Sequence, residues 1–110
     1  MTANYPRPLA LSGELSLRSI SGLHTQLIEA IDGHEAVFIG TEAVDSIDIA
    51  ALQLLVSATK TAAARGRQVS LAAPDGGPVA RALVAAGLFT PAGVPKVASL
   101  SCWTITREAA

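Results

Sequence analysis

The chain has 110 residues, half of them hydrophobic but only 4% aromatic, and a formal net charge of −1. That length suits one domain, residues 1–110, with a single core built from Leu, Ile, Val and Ala. The charge balance gives no electrostatic basis for binding nucleic acid or an anionic membrane, and the lone Cys102 excludes an internal disulfide.

Met1 to Pro8 has no basic-then-apolar signal pattern, and no stretch approaches the ~18 apolar residues of a membrane span. A soluble cytoplasmic protein is expected. Pro6 and Pro8 keep the opening extended, and Leu9-Ala10-Leu11 reads as a short strand ended by Ser12-Gly13. Leu17, Ile20, Leu23, Leu27, Ile28 and Ile31 recur at helical spacing, with Ser16 or Ser19 as a cap and Asp32-Gly33 as the stop. Ala36-Val37-Phe38-Ile39 is apolar enough for a strand buried on both faces, followed by a connection through Gly40-Thr41-Glu42 and Val44.

The central helix begins at Asp48, whose carboxylate can accept from the unpaired N–H groups of a first helical turn, and stops at Gly66. Leu52, Leu55, Val56, Thr59 and Ala63 form its inner side, with Gln53, Ser57, Lys60 and Ala64 set away from it. Gln68 to Ala73 alternates and reads as a further strand. Pro74 to Gly77 is a loop, and Pro78 opens a short helix with Val79, Leu83 and Ala86 inside and Gly87 at its end. Trp103-Thr104-Ile105 has the composition of a strand. Alternation of strands and helices gives an α/β layer with right-handed crossovers.

Asp48-Ile49-Ala50-Ala51-Leu52 resembles the Asp-Ser-Ser-Gly-Leu signature of STAS domains, the sulfate transporter and anti-sigma factor antagonist family. It is closer still to a subset reading Asp-Thr-Ala-Ala-Leu-Gln-Leu-Leu. Leu11 to Leu15 and Ala86-Gly87-Leu88 extend the likeness over about residues 9–88. The resemblance implies a STAS-like α/β fold, with a mixed β-sheet and helices packed mainly on one face. It also implies an additional strand ahead of Leu9, where little chain remains, and a final helix. The strand and helix readings of the tail stay open.

The same resemblance implies a non-catalytic protein-interaction module in bacterial signalling or transcription regulation. Its partner would be an anti-sigma or kinase-like protein, or a chemotaxis signalling protein. Two other roles attach to the family: the soluble subunit of a phospholipid-transport ABC complex, docked on an ATPase, and a nucleotide-binding regulatory domain. The nucleotide reading is weakened because the usual Asp at the end of the central strand corresponds to Gly40.

In the anti-sigma antagonists a kinase phosphorylates the second Ser of the signature. Here that position is Ala50, preceded by Ile49, and neither has a hydroxyl. Ser46 and Ser57 are the nearest ones. Ser46, Asp48, Ile49, Ala50, Gln53, Leu54 and Ser57 are the expected partner-binding residues. Leu54 either joins Ile49 and Ala50 in an apolar patch or packs under a neighbouring element.

Nothing argues for catalysis. Glu42, Asp45 and Asp48 invite an acid–base or metal reading, but capping accounts for Asp48, and the other two read as solvated loop residues. His24 and His34 have no ligand partner at metal spacing, so no metal or other cofactor is expected. Ser46 lies in no Gly-x-Ser-x-Gly elbow, and Gly76-Gly77 lacks the Lys-Ser/Thr of a phosphate-binding loop.

Overall fold

The computed structural model describes residues 7–106. Within them the order is β1 (Arg7–Leu15), α1 (Ile20–Gly33), β2 (Ala36–Ile47), α2 (Ile49–Ala64), β3 (Gln68–Pro74), α3 (Pro78–Ala85) and β4 (Trp103–Thr106). Short 3₁₀ turns, Leu17–Ser19 and Ala98–Leu100, precede α1 and β4. The strands lie side by side in chain order, β1-β2-β3-β4, and all three pairings are parallel. When every step moves the same way across the sheet, right-handed crossovers place all the helices on one face.

Burial follows from that topology. Leu11, Leu15, Val37, Ile39, Val44, Val69, Leu71, Ala73 and Trp103 point under the helices and are buried. Pro8, Ala10, Phe38 and Thr104 point the other way and are exposed. The antiparallel member that would make the sheet mixed is not among the described residues; the strand expected ahead of Leu9 falls on residues outside them. The tail forms a strand over Trp103–Thr106, pairing with Leu71–Pro74.

Two strands are longer than the sequence suggests. β1 runs through Ser12-Gly13 to Leu15 rather than stopping there. Gly13, at φ +73°, lets the chain bend without leaving the sheet, and the register shifts between Ala10 and Ser12 and between Gly13 and Glu14. β2 continues past Gly40 to Ile47 because those bulges keep it paired with β1. The Thr41 hydroxyl donates to the Ala72 carbonyl at 2.8 Å, which satisfies a buried polar group at that point. Glu42 and Asp45 are therefore exposed strand residues, not loop residues, and Gly40 lies in mid-strand rather than at a strand end. β2 is also covered on one face only, with Phe38 exposed on the other.

The helices differ from expectation in how they are turned. Leu17 sits in the 3₁₀ turn before α1 and is 69% exposed, not on the inner stripe. The Ser16 N–H donates to Ser19 Oγ, and α1 starts one residue later with Leu23, Leu27, Ala30 and Ile31 buried. α2 buries Ala51, Leu52, Leu55, Ala58, Thr59 and Ala62, while Ala63 is exposed and Val56 half-buried. The buried stripe is rotated towards the small residues, because alanines let the helix axis approach the sheet closely.

One buried polar chain ties α2 to β4. The Trp103 indole donates to Thr59 Oγ1 at 3.2 Å, and that hydroxyl donates to the Leu55 carbonyl at 2.8 Å. In α3, Val79, Ala80 and Leu83 are buried but Ala86 is exposed beyond its end. Phe89 and Leu100, from the long connection to β4, complete the core.

Leu52→Ala should destabilise the domain by about 2–5 kcal/mol, the cost of truncating a well-packed core leucine. Ala63→Gln should stay within about 0.5 kcal/mol of wild type, because it touches no buried contact. Urea unfolding followed by Trp103 fluorescence measures both, and a costly Ala63→Gln would place the wrong face of α2 inward.

Candidate functional site: the start of the central helix

β1 and β2 end together, with Leu15 opposite Ile47, and the chain turns directly into α2. In parallel α/β sheets the crevice beyond the carboxyl ends of the strands is the usual place for ligands and partners. Asp48 occupies that turn in an extended conformation, as an N-cap requires. Its Oδ1 accepts from the Ala51 N–H at 2.9 Å, closing the first turn of α2. Its Oδ2 accepts from the Leu17 N–H, also at 2.9 Å, which ties in the 3₁₀ turn leading to α1. Its own N–H donates to the Leu15 carbonyl at 2.9 Å. Three chain segments thus converge on one residue, of which the sequence disclosed only the capping bond.

These bonds favour the ionised carboxylate. The Ala51 and then the Leu17 backbone N–H groups hold the Asp48 pKa below the ordinary carboxylate value, with a smaller contribution from Ala50. The helix N-terminus acts in the same direction.

Of four large hydrophobic side chains exposed among the described residues, two flank Asp48: Leu17 at 69% and Ile49 at 59%. Beside them, Ile49, Leu52, Gln53, Val56, Ser57 and Lys60 of α2 line a groove of about 390 Å³, closed on the far side by Ala86 and Leu88. A shallower cleft shares Ile49, Leu52 and Ala86 and continues the groove to Ile47, Asp48, Ala82 and Ala85. Its floor is aliphatic; Gln53, Ser57 and Lys60 give it a polar edge.

Of the residues expected from the sequence to bind a partner, Asp48, Ile49, Gln53 and Ser57 come together along this groove. Ser46 is exposed on the last turn of strand, opposite Glu14, and Ala50 is half-buried. Leu54 does not join them. It lies about 140° around the helix from Ile49, at roughly 100° per residue, and is half-buried against the core. Leu17 and Ala86 read from the sequence as inner helix residues and Leu88 as part of a motif, not as members of this site, because their proximity to the start of α2 comes from tertiary packing. No group of three or more His, Cys, Asp or Glu among the described residues is placed to hold a metal ion.

A family model described as Mlab, STAS domain, matches residues 5–94. The chain belongs to the STAS domain family. No curated protein and no solved structure matches it. The STAS match covers β1 through α3 and so includes the whole helix start and the groove beside it. At the two positions that open α2 in this STAS domain, Ile49 and Ala50, no hydroxyl is available to accept a phosphoryl group. No helix among the described residues is long and apolar enough to cross a membrane.

The acid limb of stability should carry the Asp48 signature. A carboxylate whose folded pKa is lowered contributes stability that is complete above the unfolded value, about 3.9, and is lost as pH falls through the lower folded value. The Asp48→Ala variant should therefore unfold at lower urea than wild type at pH 7, with the gap narrowing below about pH 4. Urea midpoints across pH 2–7 measure this; a gap constant with pH would mean that the ionised form is not what the fold uses.

Proposed function

We propose that this STAS domain is a non-catalytic docking module of a bacterial cytoplasmic signalling or transcription-regulating system, binding a protein partner over the start of α2. The observation that carries the reading is the pairing of two exposed aliphatic side chains, Leu17 and Ile49, on either side of a rigid, hydrogen-bonded Asp48. Exposed aliphatic groups are ordinary singly, but Ile49 continues into an apolar groove, and Leu17 is exposed on the turn whose backbone is bonded to the same Asp48, the kind of surface that interfaces use. Partner contact extends along the groove through Gln53 and Ser57 at its edge, takes in Ser46 and Ala50 only as neighbours of Asp48 in the chain, and leaves out Leu54, which packs inward. Because Ile49 and Ala50 offer no hydroxyl, the usual phosphoryl switch at the head of the helix does not operate here. A phosphate there would add nearly two negative charges to an apolar contact; alanine and isoleucine leave that contact permanently available.

A partner is sought among the products of neighbouring genes by calorimetric titration of the full chain. Binding to a histidine-kinase-like, anti-sigma or chemotaxis protein is the expected result; binding instead to an ABC-transporter ATPase assigns the domain to transport. Ile49→Asp places an unpaired charge in the contact and should weaken binding by about tenfold or more while leaving the thermal melt close to wild type. Unchanged affinity in a folded Ile49→Asp protein moves the interface away from the helix start. Incubation with the cognate kinase should leave Ile49 and Ala50 unmodified, and stoichiometric phosphate on Ser46 or Ser57 would show that the switch has been relocated.

A further inference from the structure

The groove beside α2 is straight and unevenly charged, and its walls have their backbone bonds already made. At about 100° per residue, Ile49, Val56 and Lys60 fall within about 20° of one line along the helix. The groove therefore runs beside the axis of α2, as the contact between two helices packed side by side would. From Ile49 to Lys60 it is about 16 Å long, three turns at about 1.5 Å per residue.

Neither wall has a ladder of backbone groups to share. From Leu52 onward the N–H groups of α2 bond within the helix, beginning with Leu52 to the Asp48 carbonyl at 3.0 Å. On the opposite wall the Ala86, Gly87 and Leu88 N–H groups donate to the Ala82, Val84 and Leu83 carbonyls at 2.9, 3.0 and 2.9 Å. The Leu88 carbonyl accepts from the Lys96 N–H at 2.8 Å. Strand addition needs free N–H and C=O groups on the receiving edge, so an extended segment laid here would press unpaired amides onto an aliphatic floor. A helix arrives with its own backbone bonds made.

The charge lies at one end. Lys60 is exposed at the end of the groove away from Asp48, and Lys96 is exposed beside the Leu88 wall. Neither lysine is in an ion pair among the described residues. At the other end, both oxygens of Asp48 already accept backbone N–H groups from Leu17 and Ala51. The lysine end thus favours a carboxylate and disfavours a cation.

We propose that the groove receives an amphipathic α-helix of the protein partner, about three turns long, with an acidic residue at the end that lies over Lys60 and Lys96. Aliphatic side chains at i, i+3 or i+4 and i+7 of that helix rest on Ile49, Val56 and Leu88. This rests on the docking role argued above and adds to it the conformation and the charge of what docks.

A library of random 16-residue peptides displayed on phage and selected on the full chain tests both additions. The expected enrichment is aliphatic residues at helical spacing with Asp or Glu at one end. Fluorescence anisotropy of the enriched peptide should show about tenfold weaker binding to Lys60→Glu, and the library selected on that variant should turn to Lys or Arg at the same end. Ile49→Asp should weaken binding by about tenfold or more, and so should a proline placed in the middle of the peptide. Thermal melts of both protein variants check that they fold. A library that yields no binder overturns the proposal, as does enrichment of extended or proline-rich sequences or of sequences without the acidic end. Binding that tolerates the central proline, Lys60→Glu or Ile49→Asp overturns it equally. The docking role itself is judged separately, by the neighbouring-gene partner and Ile49→Asp, and stands if that affinity falls while the peptide results fail.

Discussion

The exposed end of this molecule depends on a single carboxylate. Asp48 takes the first turn of α2 with one oxygen and the 3₁₀ turn before α1 with the other, while its own N–H is held by the end of β1. Each bond is ordinary in length. Their effect comes from tying the stretch Leu15 to Leu17 to the start of α2, some thirty residues later, so that the exit of one strand, the entry of one helix and the approach to another share one fixed point. Leu17 and Ile49 are presented to solvent because their backbones are held there. The groove inherits the same rigidity, since Ile49 and Leu52 lie in the turn that Asp48 caps. A rigid apolar patch gives more affinity per contact than a mobile one, because less ordering is required on binding.

The sheet separates two kinds of surface. Under the helices, Val, Leu and Ile side chains meet a helix whose inward residues are mostly Ala and Leu, so the layers approach closely without many aromatics. On the other side the middle of the sheet carries Ala10, Gly40, Ala72, Thr104 and one phenylalanine, with Glu42 exposed further along β2. The family membership accounts for the first arrangement as a shared fold; the second is a property of this chain's own residues.

Much of the fold was legible because it is written in local chemistry. Asp48 and Gly66 bracket α2 as N-cap and left-handed stop, with Gly66 at φ +72°, and Pro78 opens α3 at its first position. What was not legible depended on partners far away in sequence. Ser12-Gly13 looks like a stop until β2 is alongside; the two bulges then carry both strands onward. Leu17 fits the period of α1, but its N–H is claimed by Asp48, thirty-one residues away, and the claim turns its side chain outward. For the site, the capping residue and the absent hydroxyls could be read directly, whereas the groove could not. Its second wall, Ala86 and Leu88, follows α3, and nothing in the spacing of α2 announces it. Leu54 shows the converse: helical period separates it from Leu52, yet a buried stripe wide enough to include Ala58 draws it inward.

The order β1-β2-β3-β4 is also the order in which the strands leave the ribosome. Each strand as it emerges finds the free edge it will pair with already synthesised, and none must be inserted between two earlier neighbours. The sheet can grow by accretion during translation, with no strand having to wait for a distant one to return. One piece of the core still arrives late. Leu100 and Trp103 follow every helix, and the indole finds Thr59 only after some forty further residues have been made. Until then the edge of β3 that β4 covers, Leu71 to Pro74, has no partner strand. The lone tryptophan marks the step that closes it.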